Sequence, residues 1–144
     1  MIGPGWGLAL SVGTLVLATL FGLIWRSRQG RVPGTRTATT TGDILPEPVL
    51  TSVDDTAAVT LLQLTIPICA RCPRARTLLS DLATETPGVG YAELDLAGHP
   101  ELAGQLGIRS TPTTLVVSRT GQELFRVAGV PRRAELLTAL QPHL

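Results

Sequence analysis

The stretch PICARCPRAR, residues 67–76, contains both cysteines of the 144-residue chain. Cys69 and Cys72 are separated by two residues, and Pro73 follows the second cysteine directly. Three kinds of site use such a pair: a redox-active dithiol, half of a metal site, and a structural disulfide. The residues around the pair indicate which of the three the chain favours.

The metal site and the structural disulfide are the weaker interpretations. A structural zinc site usually has four ligands, and the remaining candidates, His99 and His143, lie at no ligand-like spacing from the cysteines. A disulfide that closes a loop of two residues removes little entropy from the unfolded chain, so it would add little stability. We therefore expect no metal, and the redox interpretation is favoured.

The residues after the pair suit a redox site. CPRARTLLSDLATET, residues 72–86, has leucines at helical spacing and an early proline, which predicts a helix that begins at the cysteines. Cys69 would then lie at the helix N-terminus, where the dipole favours the thiolate that attacks disulfides. Cys72, three residues on, would lie on the same face and resolve the mixed disulfide. Arg71 adds a positive charge that favours the thiolate, whereas Arg74 and Arg76 are expected to be solvated.

From residue 58 onward, strand-like and helix-like segments alternate. The predicted order is strand, helix, strand, helix, strand, strand, helix, in the segments AVTLLQLTI (58–66), CPRARTLLSDLATET (72–86), VGYAELDL (89–96), HPELAGQLGI (99–108), TTLVVS (113–118), QELFRVAG (122–129) and PRRAELLTALQPHL (131–144). This order predicts an α/β domain over residues 49–144, with a mixed sheet covered by helices. An edge strand is also expected around Val49–Thr51.

The N-terminal region differs in composition from the domain. Residues 6–25, WGLALSVGTLVLATLFGLIW, are twenty residues without a charge, which as a helix would span about 30 Å, the hydrocarbon thickness of a bilayer. We expect a transmembrane anchor over residues 1–26 that contacts the lipid bilayer, followed by a Thr/Gly/Pro-rich tether over residues 27–48. A cleaved signal peptide is the alternative, but it would need a positively charged start that MIGPG lacks.

Arginines follow the apolar stretch at positions 26, 28 and 31, and nothing comparable precedes it. The positive-inside tendency therefore places the domain in the cytoplasm, with an extracytoplasmic domain as the alternative. Over the whole chain, twelve arginines are balanced by eleven acidic residues, and the arginines are scattered. We therefore expect no nucleic-acid partner.

The chain from about residue 58 to residue 144 resembles the thioredoxin family in three separated motifs. These are the Cys-x-x-Cys-Pro after a buried strand, the segment GIRSTPTTLVV (107–117), which is similar to the family's cis-proline segment, and Gly129 after the hairpin. The resemblance implies a thioredoxin fold with a cis Thr111–Pro112 bond packed against the cysteines. It also implies that Thr111 pairs with a substrate strand, so that Ala70, Arg71, Thr111 and Pro112 bind the substrate.

The chain also departs from the family pattern. Ala70 and Arg71 stand where thioredoxins usually carry Gly-Pro, and Ile68 replaces the usual tryptophan before the first cysteine. Gln63 replaces a common buried aspartate, and Glu93 falls at the position of that aspartate's lysine partner. We therefore consider Glu93 as a possible proton shuttle, which requires its carboxyl to lie behind the second cysteine with a pKa raised by burial. The alternative is that Glu93 faces solvent and the proton comes from water.

The sequence thus predicts a membrane-tethered thiol-disulfide oxidoreductase that acts on protein disulfides and dithiols. Cys69 is the expected nucleophile and Cys72 the expected resolving thiol. No metal or organic cofactor is expected, because the dithiol itself carries two electrons. The alternative function is a thioredoxin-fold binding or redox-sensing module that does not turn over.

Overall fold

The computed structural model of the chain describes the backbone of residues 4–28 and 45–144, with side chains for residues 10–25 and 45–144. The helices are α1 (Pro4–Arg28), α2 (Glu47–Leu50), α3 (Cys72–Glu85), α4 (Pro100–Gln105) and α5 (Arg133–Leu140), followed by a short 3-10 helix (Gln141–His143). The strands are β1 (Val59–Thr65), β2 (Val89–Asp95), β3 (Thr113–Ser118) and β4 (Glu123–Ala128). From β1 onward the elements follow the predicted order.

The four strands form one mixed sheet in the order β2-β1-β3-β4. β1 runs parallel to β2 and antiparallel to β3, and β4 is antiparallel to β3. All seven residues of β1 are buried, as expected for a central strand with helices on both faces of its sheet. The predicted α/β architecture is confirmed.

Alternate residues of β1 contribute to two apolar layers, one on each face of the sheet. Leu61 packs with Leu79 and Leu82 of α3 and with Leu136 of α5. Its neighbour Leu62 belongs to the opposite layer, which includes residues of α2 and α4. Because side chains alternate along a strand, Gln63 lies on the same face as Leu61 and points toward α3.

The edge strand predicted around Val49–Thr51 is wrong, since these residues belong to or follow the single helical turn of α2. Pro48 lies in the first turn of α2, where its missing N–H costs no helical hydrogen bond. The turn directs Val49 into the core, where it is fully buried in the same layer as Leu45. The packed domain therefore includes Leu45. The expected tether, residues 27–48, falls largely outside the described residues.

Among the residues that the structure describes, no helix is both long enough and apolar enough to cross a membrane.

Candidate active site

The cysteines lie in the connection between β1 and α3. Cys69 and Cys72 form a disulfide with an S–S distance of 2.10 Å and a Cα–Cα distance of 5.4 Å. Cys69 is half-buried and Cys72 is only 3% exposed. The first cysteine is therefore the one that a partner sulfur can reach, as a nucleophile requires.

The helix begins at Cys72, as the predicted segment 72–86 indicates, with Arg71 as its N-cap residue, so Cys69 lies three residues before the first helical residue. Cys69 is joined to the first helical residue through its carbonyl, which accepts a hydrogen bond from the backbone N–H of Cys72 at 3.2 Å. Pro73 occupies the first turn as predicted. The positive end of the helix dipole faces the cysteine loop, residues 66–71, because the first N–H groups of α3 point toward it.

The proline loop, residues 107–112, and the turn after β4, residues 129–133, lie at the same edge of the sheet as the cysteines. The Thr111–Pro112 peptide bond is cis, as the resemblance implies. The β1–β3 register pairs Leu64 with Thr113, so Pro112 lies beside the end of β1 from which the cysteine loop departs. The Gly129 N–H donates to the Pro112 carbonyl at 2.7 Å, and Gly129 has a φ of 82° that suits glycine. The three motifs thus meet at one edge.

A line of polar side chains runs behind Cys72. Gln63, which is fully buried, donates from Nε2 to the Cys72 carbonyl at 3.1 Å. Its Oε1 lies 3.1 Å from the Tyr91 hydroxyl, which lies at the same distance from Oε2 of Glu93. Arg76 of α3 donates to both oxygens of Glu93 at 2.7 Å. We call Gln63, Tyr91, Glu93 and Arg76 the polar chain.

Glu93 does not have the raised pKa that the shuttle hypothesis required. The hydrogen bonds from Arg76 lower the pKa of the Glu93 carboxyl, outweighing the effect of its partial burial. Its side chain is 24% exposed, and two other side chains separate it from the cysteine backbone. A carboxylate that is held ionised by an arginine is a poor proton donor at neutral pH. The structure thus places Glu93 at the outer end of the polar chain.

A second buried polar group lies beside Gln63. Thr114 of β3 is directly opposite Gln63 in the β1–β3 register and is fully buried. Its hydroxyl has no hydrogen-bond partner within the described part of the chain. The sheet face behind the resolving cysteine therefore carries two neutral polar groups, an amide and a hydroxyl, amid apolar side chains.

The roles of Tyr91, Arg76 and Thr114 around Gln63 were not anticipated from the sequence. One signal was available: Tyr91 and Glu93 are two residues apart on a predicted strand and so share a face. The partner on the next strand depends on the parallel register, which pairs Gln63 with Glu93. That register is set by packing between strands distant in sequence.

We expect Tyr91 to report the polar chain directly, because it is the only tyrosine of the protein. Burial, and then the charge of Glu93, raise the pKa of Tyr91 to about 12. An alkaline absorbance titration should therefore show a midpoint near that pH. The stabilisation linked to this shift is fully present below the ordinary tyrosine pKa of about 10 and is lost as the pH rises through the folded-state value.

Two substitutions should move this midpoint in opposite directions. Glu93→Gln removes the carboxylate charge and should lower the pKa of Tyr91, whereas Arg76→Gln removes an interaction that lowers it and should raise it. Equal midpoints in all three proteins would contradict the described contacts.

Comparisons with known proteins agree with this geometry. The family model described as Thioredoxin matches residues 48–142. The thioredoxin of Chlamydia muridarum is 32% identical over 75 residues, which cover 52% of this chain and 72% of that protein. Thioredoxin 1 of Nostoc is 28% identical over 91 residues, which cover 62% of this chain and 84% of that protein.

Solved structures show the same fold. The thioredoxin of Fasciola hepatica matches with a TM-score of 0.53 and 21% identity, covering 62% of this chain and 85% of that one. A mutant thioredoxin from Halobacterium salinarum matches with a TM-score of 0.55 and 22% identity, covering 65% of this chain and 79% of that one. At these identities the likeness is one of fold.

Proposed function

Because the chain belongs to the thioredoxin family and carries that family's Cys-x-x-Cys pair, it is a protein-disulfide oxidoreductase, and we propose that Cys69 attacks protein disulfides and Cys72 resolves the mixed disulfide. The observation that carries these roles is the difference in exposure between the two bonded cysteines. Cys69 is half-buried in the loop that follows β1, whereas Cys72, the first residue of α3, is buried.

In the reducing direction the reaction begins with both cysteines as thiols. The Cys69 thiolate forms a bond to one substrate sulfur, the substrate S–S bond breaks, and the departing sulfur takes up a proton. The Cys72 thiolate then attacks Sγ of Cys69, which releases the second substrate sulfur and leaves the Cys69–Cys72 disulfide. The substrate gains two electrons and two protons, and the enzyme loses them. Oxidation of a dithiol is the same sequence reversed, so the pair needs no cofactor.

Proton transfer in this scheme uses water. Gln63 has no titratable group, and Glu93 is ionised and reaches Cys72 only through Tyr91 and Gln63. Gln63 instead positions the Cys72 backbone from behind. The half-buried Cys69 exchanges its proton at the solvent-facing side of the site.

Substrate binding is assigned to the loops on either side of Cys69. Ala70 and Arg71 are exposed beside the nucleophile. Thr111 and Pro112 directly precede β3, at the same end of the sheet as the cysteine loop. An extended substrate segment could place its cysteine between these loops and pair with the backbone at Thr111.

We also propose that the N-terminal segment tethers the domain to a membrane. All described side chains of α1, residues 10–25, are exposed, including Leu10 at 69%, Leu17 at 69% and Phe21 at 64%. The side chains that the structure describes in α1 cover only sixteen residues, fewer than the about 20 that a spanning helix needs, so the proposed tether rests on the uncharged sequence of residues 6–25. The arginines that follow favour a cytoplasmic domain.

Turnover with a protein substrate tests the proposed activity. With dithiothreitol as the reductant, the full-length chain in neutral detergent should reduce many equivalents of insulin disulfide per molecule. A single equivalent per chain would instead indicate a redox-sensing module that reacts once. The same chain with its cysteines alkylated is the matched control.

Thiol labelling tests the location of the domain. Cys69 and Cys72 are the only cysteines, so an impermeant thiol reagent applied after mild reduction reports their side of the membrane. We expect labelling only after lysis. Labelling in intact cells would contradict a cytoplasmic domain and would assign the activity to the outer side.

A further inference from the structure

Charge is distributed unevenly over the domain. Residues 45–144 contain ten acidic residues and eight arginines, which gives a slightly negative domain. Six of those arginines fall in three short segments, residues 66–76, 107–112 and 129–133, and these segments contain no acidic residue. The three segments are the cysteine loop with the start of α3, the proline loop and the turn after β4. We call them together the basic edge.

The three segments of the basic edge meet at the end of the sheet where the cysteine loop departs. The register pair Leu64–Thr113 places the first two side by side, and the hydrogen bond from Gly129 to Pro112 joins the third. Arg71, Arg74 and Arg132 line one cavity together with Gly129, and the end of α1 borders the same cavity. Arginine side chains of the cysteine loop, of α3 and of the turn after β4 are therefore grouped around one cavity.

Part of this positive charge is compensated within the protein. Arg76 pairs with Glu93, Arg132 with Glu135, and Arg133 with Glu85. Arg74 and Arg109, both exposed, form no ion pair within the described residues.

Arg109 lies two residues before Thr111, on the proline loop, and Arg74 lies two residues after Cys72 in the first turn of α3. Uncompensated positive charge therefore lies on two of the three segments of the basic edge, the start of α3 and the proline loop.

Asp95, at the end of β2, is an acidic residue that the register places beside the end of β1. It is paired with Thr65 in the parallel register, and its carboxylate accepts a hydrogen bond from the Ala97 N–H at 2.9 Å. It therefore lies on the opposite side of β1 from the proline loop. The described carboxylate at this end of β2 is thus separated by β1 from the arginine of the proline loop.

An exposed apolar side chain completes the surface. Ile68, directly before the nucleophile, is 93% exposed, and Ile66 is 38% exposed. This surface has an apolar residue beside the reactive sulfur and a rim formed by the positive charges of the basic edge at the same end of the sheet. It therefore fits a partner that carries negative charges around its own cysteine. Such a rim governs the rate of encounter and the choice of partner more than the strength of the final complex.

We propose that the basic edge selects protein disulfides whose cysteines are flanked by acidic residues. The inference rests on the proposed function and adds the chemical class of its substrates. Acidic flanks would be attracted to the rim at Arg74 and Arg109 as the partner cysteine approaches Cys69, and basic flanks would be repelled. The preference should weaken with salt, because the Debye length falls from about 10 Å at 0.1 M to about 3 Å at 1 M.

Three disulfide peptides of equal length test the proposal, with acidic, uncharged and basic residues beside the cysteines. The full-length chain in neutral detergent should reduce the acidic peptide with a kcat/KM about tenfold above that of the basic one at low salt, because steering by a few charges changes association rates by this order. The difference should narrow to less than about twofold at 1 M salt.

Matched variants assign the effect to the basic edge. Arg74→Gln with Arg109→Gln should remove most of the preference, so that the kcat/KM values for the acidic and the basic peptide come to within about twofold of each other. Arg119→Gln is the control, because Arg119 follows β3 at the opposite end of the sheet. It should retain the full preference.

Equal rates with acidic and basic peptides would overturn the proposal and leave the oxidoreductase activity intact. A preference that survives in the double variant would overturn it as well. Failure to reduce any of the three peptides would overturn the proposed function, and the inference with it.

Discussion

Replacing Cys69 with serine should abolish turnover, lowering the rate of disulfide reduction by more than about 10³-fold. A serine hydroxyl is not ionised at neutral pH and cannot form a disulfide, and the buried Cys72 is badly placed to attack a protein substrate itself. Insulin reduction under dithiothreitol measures the loss. The free energy of unfolding of the reduced proteins should change little, because Cys69 is only half-buried.

The companion substitution Cys72→Ser should have a different outcome. Cys69 can still attack, but no second sulfur releases the product, so one substrate molecule should remain bound to each enzyme by a disulfide. Mass spectrometry without reductant should show this adduct, and dithiothreitol should remove it. If Cys69→Ser were the variant that accumulates the adduct, the roles of the two cysteines would be reversed.

The fold can be predicted well from the sequence because its strongest hydrophobic pattern allows only one interpretation. The run from Val59 to Thr65 can be buried on both faces only as a central strand, and the segments that follow keep clear helical or strand periods. The prediction fails around Val49, where a short apolar segment without clear periodicity resembles a strand. Two prolines and the burial of Val49 favour a helical turn there.

The chemistry of the site can be predicted only where it is local. The Cys-x-x-Cys pair, the early Pro73 and the proline loop are short motifs whose meaning does not depend on distant residues. The environment of Gln63 depends on contacts across the fold: Tyr91 is 28 residues away, and Arg76 and Glu93 are 17 residues apart. Whether Glu93 is paired or buried alone is decided by where α3 places Arg76, which the sequence pattern does not specify.

Introducing a carboxyl at the inner end of the polar chain should convert a neutral site into a pH-sensitive one. In Gln63→Glu, the protonated side chain can still donate to the Cys72 carbonyl and accept from Tyr91, so the variant should fold with nearly wild-type stability at low pH. Once ionised, the new carboxylate would be a buried charge that can no longer donate to the Cys72 carbonyl. Glu93, on the other side of Tyr91, would add a second negative charge nearby. The pKa of the new carboxyl should rise to about 7 or higher, against about 4.3 in the unfolded chain.

The direction of the pH dependence follows from this raised pKa. Stability of the variant should match that of the wild type below about pH 4, where the carboxyl is protonated in both the folded and the unfolded state. It should fall as the pH rises toward the folded-state pKa and level off above it, at a loss of about 4 kcal/mol. The buried hydroxyl of Thr114 could donate to the new carboxylate, which would make the loss smaller.

Urea unfolding of the reduced proteins at a series of pH values measures this effect. Gln63→Leu is the matched control, because it removes the hydrogen bonds of Gln63 to the Cys72 carbonyl and the Tyr91 hydroxyl without adding a titratable group. Its loss of about 1 to 3 kcal/mol should not depend on pH. In Gln63→Glu, the pH profile of thiol exchange should also gain an ionisation near the raised pKa. If the stability of Gln63→Glu differed from that of the wild type by the same amount at every pH, the new carboxyl would be solvated. The described burial of residue 63 behind the resolving cysteine would then be contradicted.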